Sequence, residues 1–487
     1  MHSWVWGVLG AYTALLWVVA PRATSHRGFL WARSPDGTPP STTLLTASVV
    51  VSWIFAKSIT NAANLGERAG LVGGLSYAAW YLSIPIAGLL IFRIRRAGHE
   101  GLIPFLTDRF GPASAVLFSL AILVRLFNEV WSNTAVVASY FAPATSGLHI
   151  AAALAFTGGV LLYTLKGGLR ASIFTDRLQV VLAAVLLVTV LAWVLPRDGG
   201  ARLLTTGRWT LSGGLDLLLV ALLQTTSYPF HDPVLTDRAF VIEPRRMLKA
   251  YVVAGVLGGA AIVLYSLLGV HVKLAGLAGP GDAPVRLVQA LGAGAVAVVS
   301  LLMMNSAGAC LDSAFSAISR HVSVDLAGEG GLHPSGFRGL LAPLRGWGRR
   351  DGGLRLARWS MVTFALLGNL PLLWRADILK ATTISGTMVL GLAPAFLLWR
   401  WHRRAPSAFV LSFLTGLTVG ILAVAGLWPS TWKLGNGSSG ALLAQNAFGL
   451  LACFAVYGLG LALETARAPS AHRTAAFFAA GFTEGRP

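Results

Sequence analysis

The chain has 487 residues, 55% of them hydrophobic and only 12% charged, with a mean hydropathy of +0.68. That excludes a soluble globular domain and implies a polytopic helical membrane protein. The formal net charge of +19 does not point to nucleic acid, because the 38 Lys and Arg residues fall in short gaps between apolar runs rather than on one face or tail.

Apolar runs of roughly 17 to 25 residues predict about thirteen membrane spans, at 4 to 20, 44 to 65, 71 to 92, 112 to 140, 147 to 165, 174 to 195, 214 to 229, 248 to 271, 284 to 318, 356 to 374, 378 to 399, 407 to 428 and 441 to 465. The first run ends at Val19-Ala20-Pro21-Arg22-Ala23 like a signal peptide. No Lys or Arg precedes its apolar core, which favours a retained helix. The longest polar gap, about 319 to 355, is a Gly/Arg-rich loop. Basic residues concentrate in alternate gaps, from Arg22, Arg27 and Arg33 through Arg93, Arg95, Arg96 and Arg109 to Arg400 and the tail with Arg467 and Arg473. By the positive-inside rule those gaps are cytoplasmic, with the N-terminus outside and the C-terminus inside. Cys310 and Cys453 lie inside separate apolar runs, which argues against a disulfide or a metal site.

Span two reads LTASVVVSWIFAKSITNAANLG and carries Lys57 near its middle. Mid-span, Lys57 cannot easily snorkel to an interface, so it faces either a partner or a cavity. Span four holds Arg125, Asn128 and Glu129. Arg125 and Glu129, four apart, share a helix face and neutralise each other, or Glu129 pairs with Lys57 across helices. Asp176 opens span six beside Thr175 and Gln179, either as a helix N-terminal charge or at the inner mouth of the bundle. Span seven ends in LLQTTSYPFHDPVLTDRAF, where Pro229 and Pro233 break the helix and free backbone groups beside Gln224, Thr226 and Tyr228. His231, Asp232 and Asp237 are read as a cytoplasmic helix boundary, since no third convergent metal ligand is visible. Span nine, within LLMMNSAGACLDSAFSAISRHVSVDL, places Asp312 at membrane depth, where an ionisable group marks an ion or substrate pathway.

The stretches GHEGLIPFLTDRFG (98 to 111), YTLKGGLRASIFTDRLQ (163 to 179), HDPVLTDRAF (231 to 240) and LDSAFSAISRHVSVDL (311 to 326) resemble the sodium:solute symporter family, which includes proline, pantothenate, sugar and urea carriers. SWIFAKS looks somewhat closer to the urea-carrier branch. The resemblance implies an all-α LeuT-type fold, a core of five plus five helices in inverted repeats with one extra helix before and two after. Residues 1–43 would be the extra helix and a cytoplasmic loop, 44–195 the first repeat, 196–400 the second, and 401–487 two extra helices and a tail.

The family's sodium site uses carbonyls of the first core helix, here near Ser52, Trp53 and Phe55, and two hydroxyls of the eighth. Laid on Ala309-Cys310-Leu311-Asp312-Ser313, that hydroxyl pattern meets Ala309 and Cys310, which offer no oxygen to a hard cation. Ser306 and Ser313 lie about one turn away on either side. Lys57, with Glu129, Asp176 or Asp312, is the candidate replacement, giving proton or fixed-charge chemistry. Trp53, Asn61, Asn128, Glu129, Trp131, Gln224, Thr226 and Tyr228 are the candidate solute pocket. The function expected is a non-enzymatic secondary transporter in the plasma membrane that carries a small polar organic solute with sodium or a proton. A non-transporting sensor and an ion-independent facilitator stand as alternatives; no cofactor beyond a sodium ion and no nucleic-acid partner is expected.

Overall fold

The computed structural model describes residues 4–144, 146–327, 354–374, 377–402 and 404–467. The described residues contain helices and connecting turns and no strand. Trp4–Val19 (α1) and the short His26–Trp31 (α2) precede Thr42–Trp53 (α3) and Ala56–Ala69 (α4). Ser41 caps α3 by accepting from the amide of Leu44. α3 and α4 form one span bent by 57° at Ile54 and Phe55. Leu71–Ala78 (α5) and Ser83–Arg96 (α6) follow, then Leu102–Phe110 (α7) in the loop, and Pro112–Ala138 (α8), whose proline occupies the first turn where no helical bond is lost.

Gly147–Asp198 (α9) runs for 52 residues but kinks at Gly168, where the fifth and sixth expected spans meet. Gly168 has φ +55°, and a Cβ there would lie 2.5 Å from the carbonyl oxygen of Phe29, so both conformation and space require glycine. After Gly200–Thr205 (α10), Leu215–Gln224 (α11) and Pro233–Arg238 (α12) are the two halves of a helix broken around Pro229 and Pro233, as the prolines predict. Pro244–Leu274 (α13), Ala283–Leu291 (α14), Ala293–Arg320 (α15), Arg355–Leu367 (α16), Ile378–Met388 (α17), Leu392–Leu398 (α18), Pro406–Val424 (α19) and Gly440–Arg467 (α20) complete the order. α15 continues through a wider turn at His321–Leu326.

Eight helices among the described residues are long and apolar enough to cross a membrane, or ten when each of the two bent pairs, α3 with α4 and α17 with α18 through Trp401, counts as one span. The range falls short of the thirteen spans expected from the sequence. Two further apolar helices, α1 and α11, are shorter. The run at 284 to 318 is two helices, because Gly292 at φ +90° separates α14 from α15. The Gly/Arg-rich loop lies outside the described residues from 328 to 353, as do Arg375, Arg403 and the tail from 468 with Arg473.

The core is made by α15 packed along α9 and by α13 packed along α4. In the second pair the backbones touch: a Cβ on Gly269 would fall onto the carbonyl of Ala63. Small residues at such contacts replace the hydrophobic drive that lipid cannot supply. The outer surface of α9 presents Val181, Val185 and Val188, all more than half exposed and spaced along one face. An apolar stripe of that kind is stable against acyl chains and not against water. The chain is an integral membrane protein.

Candidate functional site

The bend between α3 and α4 places Lys57 in the first turn of α4, fully buried and facing α8. Its Nζ lies 2.7 Å from Oε1 of Glu129. Glu129 also pairs with Arg125 one turn earlier on α8, and the Arg125 Nη2 donates to Oδ2 of Asp232 at 2.8 Å. Both pairings considered for Glu129 therefore occur together. Two cations and two carboxylates form a buried chain that is formally neutral, the arrangement in which charges tolerate burial.

Cys310 joins this chain. Its Sγ donates to Oε2 of Glu129 at 3.2 Å, and the Asn133 side-chain amide donates to the same oxygen at 3.2 Å and to the Cys310 sulfur at 3.3 Å. The Asn133 carbonyl oxygen accepts from the backbone N–H of Lys57 at 3.3 Å. The position where a sodium-binding hydroxyl was expected is thus filled by a thiol bonded to the carboxylate that holds Lys57. Asp232 is more than a helix boundary: it caps α12 by accepting from the amide of Val234 and is buried against Arg125.

Beside this chain is a small void, about 20 Å³, lined by Trp53, Phe55, Lys57, Ser58, Tyr77, Trp80, Tyr81, Tyr228 and Thr382. That is room for about one water molecule. Tyr81 donates to the carbonyl of Trp53 at 2.5 Å, and the Ser58 and Tyr77 hydroxyls are 3.1 Å apart. The indole N–H of Trp53 is buried and has no protein acceptor. A buried donor without a partner costs stability unless a ligand or water takes it.

A second buried cluster lies deeper toward the end of the bundle that carries Arg95, Arg238 and Arg320, the basic face. Asp312 accepts from Tyr163 at 2.7 Å, Ser172 at 2.7 Å and Ser313 at 3.2 Å. Asp176 accepts from Ser48 at 2.6 Å and from Arg238 at 3.4 Å, while its Oδ1 has no partner. Arg238, on α12, also donates to Ser48 on α3 at 2.7 Å and to Ser313 on α15 at 2.7 Å, with Ser172 on α9 at 3.1 Å. One guanidinium thus ties four helices together. It faces two carboxylates, a formal excess of one negative charge when both are ionised.

On the opposite face a cavity of about 1100 Å³ opens between α4, α11, α17 and α20, lined in part by Asn61, Asn64, Arg68, Lys273, Asp377 and Lys380. Its polar wall is made where helices begin, with the Asp377 and Asp216 carboxylates accepting from the amides of Lys380 and Ser439.

The structure divides the sequence-predicted ion-coupling residues between the two clusters. Phe55, Lys57 and Cys310 belong to the first, with the Phe55 ring 5.0 Å from Lys57 Nζ. Asp176, Asp312 and Ser313 belong to the second. Ser52 bonds back to the carbonyl of Ser48, Ala309 contributes only its carbonyl to Ser313, and the buried Ser306 hydroxyl has no partner.

Of the predicted solute pocket, Trp53 and Tyr228 line the void, Asn61 donates to Tyr77 at 3.4 Å, and Asn128 is buried with an unpartnered Nδ2. Gln224 is elsewhere, its amide held by Trp80, Thr383 and Asn446. Thr226 bonds to the carbonyl of Leu223, and Trp131 packs in the core. Sequence reasoning missed Tyr77, Trp80 and Tyr81, although their spacing puts three rings on one face. It also missed Asn133 and gave Arg238, inside HDPVLTDRAF, no role in the site; an arginine flanked by Asp237 and an apolar Ala239-Phe240 was the available signal.

Broken spans that meet at a buried polar site recur in more than one transporter fold, and it is the match to solved structures that gives this chain the LeuT-type fold. The chain superposes on a Na+-coupled sialic acid symporter, described in a substrate-bound outward-open state with a novel Na+ site, at TM-score 0.69 and 16% identity, covering 94% of this chain and 97% of that one. It also superposes on Mhp1, a nucleobase-cation-symport-1 family transporter in a closed conformation with bromovinylhydantoin bound, at TM-score 0.55 and 12% identity over 93% of this chain and 96% of that one. Residues 41–236 match the sodium:solute symporter family, a stretch that holds the motifs at 98 to 111 and 163 to 179 but not the one at 311 to 326. Among characterised sequences, the chain is 26% identical over 160 residues to a probable urea active transporter 3 of Schizosaccharomyces pombe, covering 31% of this chain and 23% of that protein. It is 23% identical over 263 residues to the urea active transporter of Saccharomyces cerevisiae, covering 47% and 35%. The matched stretches span about a quarter to a third of those relatives' own lengths.

Proposed function

We propose that this protein is a secondary active symporter that imports a small polar organic solute by alternating access, with the Lys57–Glu129 pair standing in the place of a sodium ion such as the one coupled by the sialic acid symporter it superposes on. The observation that carries this reading is the contact of Cys310 with the carboxylate that holds Lys57. An ammonium bonded to an acid supplies in covalent form the positive charge that a bound cation would bring. Proton binding to the chain of Lys57, Glu129 and Cys310, or to the Asp176 and Asp312 cluster with its formal excess of negative charge, is then the coupling event.

The void beside Trp53 marks the solute position, and at about 20 Å³ it must widen for a solute larger than water to enter. Its aromatic walls and single unpaired indole donor suit a compact neutral solute with a carbonyl acceptor. Urea, named for both matched relatives, is the first solute to test. The basic face is cytoplasmic and the 1100 Å³ cavity opens outward, in keeping with the positive-inside rule. Counting α1, α11 with α12, and the two halves of α9 as spans restores thirteen. The first repeat then begins at the α3/α4 bend and the second at the α11/α12 break, the position expected for a site between inverted repeats.

Purified protein in liposomes decides the coupling. Urea uptake driven by an inward proton gradient, and not by a sodium gradient alone, is the expected result. Strict sodium dependence overturns the lysine substitution; uptake with no gradient requirement favours an ion-independent facilitator, and saturable binding without flux a sensor.

A further inference from the structure

At the basic end of α1 a groove of about 530 Å³ lies between α1, the middle of α9 and the start of α16. Its charged lining is made by Arg22, Lys166 and Arg358, and no carboxylate is among the residues that line it. Among the described residues these three cations make no ion pair. Lys166 donates to the carbonyl of Trp17 at 2.7 Å and lies 5.0 Å from the Trp17 ring; Arg358 lies over the Phe29 ring at 5.5 Å. A fourth cation, Arg170, donates to the carbonyl of Arg22 at 3.3 Å and adds to the local positive field.

The rim supplies the other half of the argument. Trp17 and Trp359 stand on either side of the groove and are about half exposed, and Val362 lines it one turn further along α16. Next to Trp17, Val18 is 69% exposed. Tryptophan with a polar N–H and an apolar body favours the level of lipid headgroups, and apolar residues beyond it face acyl chains. Cations held at that level, with no carboxylate among the residues lining the groove and beside an apolar wall, match a phosphate with two hydrocarbon tails rather than a freely diffusing anion.

We propose that this groove binds the headgroup of an anionic phospholipid, its phosphate held by Arg22, Lys166 and Arg358 and its acyl chains lying along Trp17 and Val362. A bound lipid here would brace α1 and α16 against α9. The inference rests on the membrane-spanning fold and the groove, not on transport, so it stands or falls separately from the proposed symport.

The test uses the full-length protein purified in a mild detergent. Native mass spectrometry and thermal unfolding are read with phosphatidylglycerol, with phosphatidylcholine of the same chain length, and with inorganic phosphate. The expected result is selective retention of phosphatidylglycerol and a raised unfolding temperature, with no such effect from phosphatidylcholine or from phosphate alone. The double variant Lys166→Gln/Arg358→Gln is expected to bind phosphatidylglycerol roughly tenfold or more weakly, while Arg93→Gln/Arg96→Gln on the same face leaves it unchanged. Equal retention of the two lipids, stabilisation by phosphate alone, or undiminished binding by the double variant overturns the proposal. Should the double variant not fold, wild-type retention at rising salt decides: loss of the phosphatidylglycerol preference supports the site, and persistence overturns it.

Discussion

The ammonium of Lys57 lies 2.7 Å from Oε1 of Glu129, a carboxylate 72 positions along the chain, and both groups are buried. Because Glu129 also touches Arg125 and Cys310, this one contact connects the bent span to the rest of the polar core. Removing either partner strands a charge in a low-dielectric interior, which typically costs about 3 to 5 kcal/mol.

Lys57→Met is therefore expected to lower the unfolding temperature markedly and to abolish coupled uptake. Lys57→Met combined with Glu129→Gln should regain much of the stability, because no uncompensated charge remains, yet stay inactive. Thermal unfolding and liposome uptake measured side by side check this. Full transport by the double variant contradicts a coupling role for the pair.

The proposed replacement of sodium by Lys57 offers a gain-of-function experiment. Ala309→Ser with Cys310→Ser restores two hydroxyls, but with Lys57 in place the added oxygens face a fixed positive charge that repels sodium. No sodium dependence is expected. Adding Lys57→Ala should make uptake rise with external sodium; an equal sodium response in the presence of Lys57 would show that the lysine does not occupy the cation's place.

Trp53→Phe removes an indole donor that bonds to no protein acceptor while keeping a large ring beside Tyr81 and Tyr228. Stability should change little. If that donor meets the solute, the apparent affinity falls by roughly tenfold, the worth of about 1 to 1.5 kcal/mol for one hydrogen bond. Unchanged affinity in a binding titration removes the void from the solute path.

Arg238→Gln cuts the guanidinium that ties α12 to α3, α9 and α15, and leaves Asp176 and Asp312 without their shared cation. The basic end of the bundle is expected to open more often. A cysteine at Ser52 should then react faster with a membrane-impermeant thiol reagent applied from that side, and an unaltered rate counts against a closing role for Arg238.

Gly168→Ala tests the fold alone. The new Cβ meets Phe29 in a backbone region that only glycine enters freely, so both strain and overlap act together. A loss of at least 1 to 3 kcal/mol is expected from such strain, about that range for one disfavoured residue, read as a lower unfolding temperature and reduced yield of folded protein.

Composition and local pattern were enough for the membrane class, the approximate positions of most apolar runs, and the break at Pro229 and Pro233, but not for the split at Gly292 or the bend at Ile54 and Phe55. The legible features depend on hydropathy and backbone chemistry that act within about one helical turn or one span. The sequence also raised Lys57 and the missing hydroxyls at Ala309 and Cys310 as the unusual features, because residue type at membrane depth is visible without coordinates. What it left open was pairing. Glu129 was compatible with Arg125 or with Lys57, and only the fold brings it to both. Asp232 read as a boundary residue until the fold set it beside Arg125, 107 positions away, and Gln224 read as a pocket residue until Trp80, Thr383 and Asn446 claimed its amide. Electrostatic partnership in a low-dielectric core is decided by a few ångströms between distant segments. Helix packing sets those distances, and no local pattern in the chain encodes them.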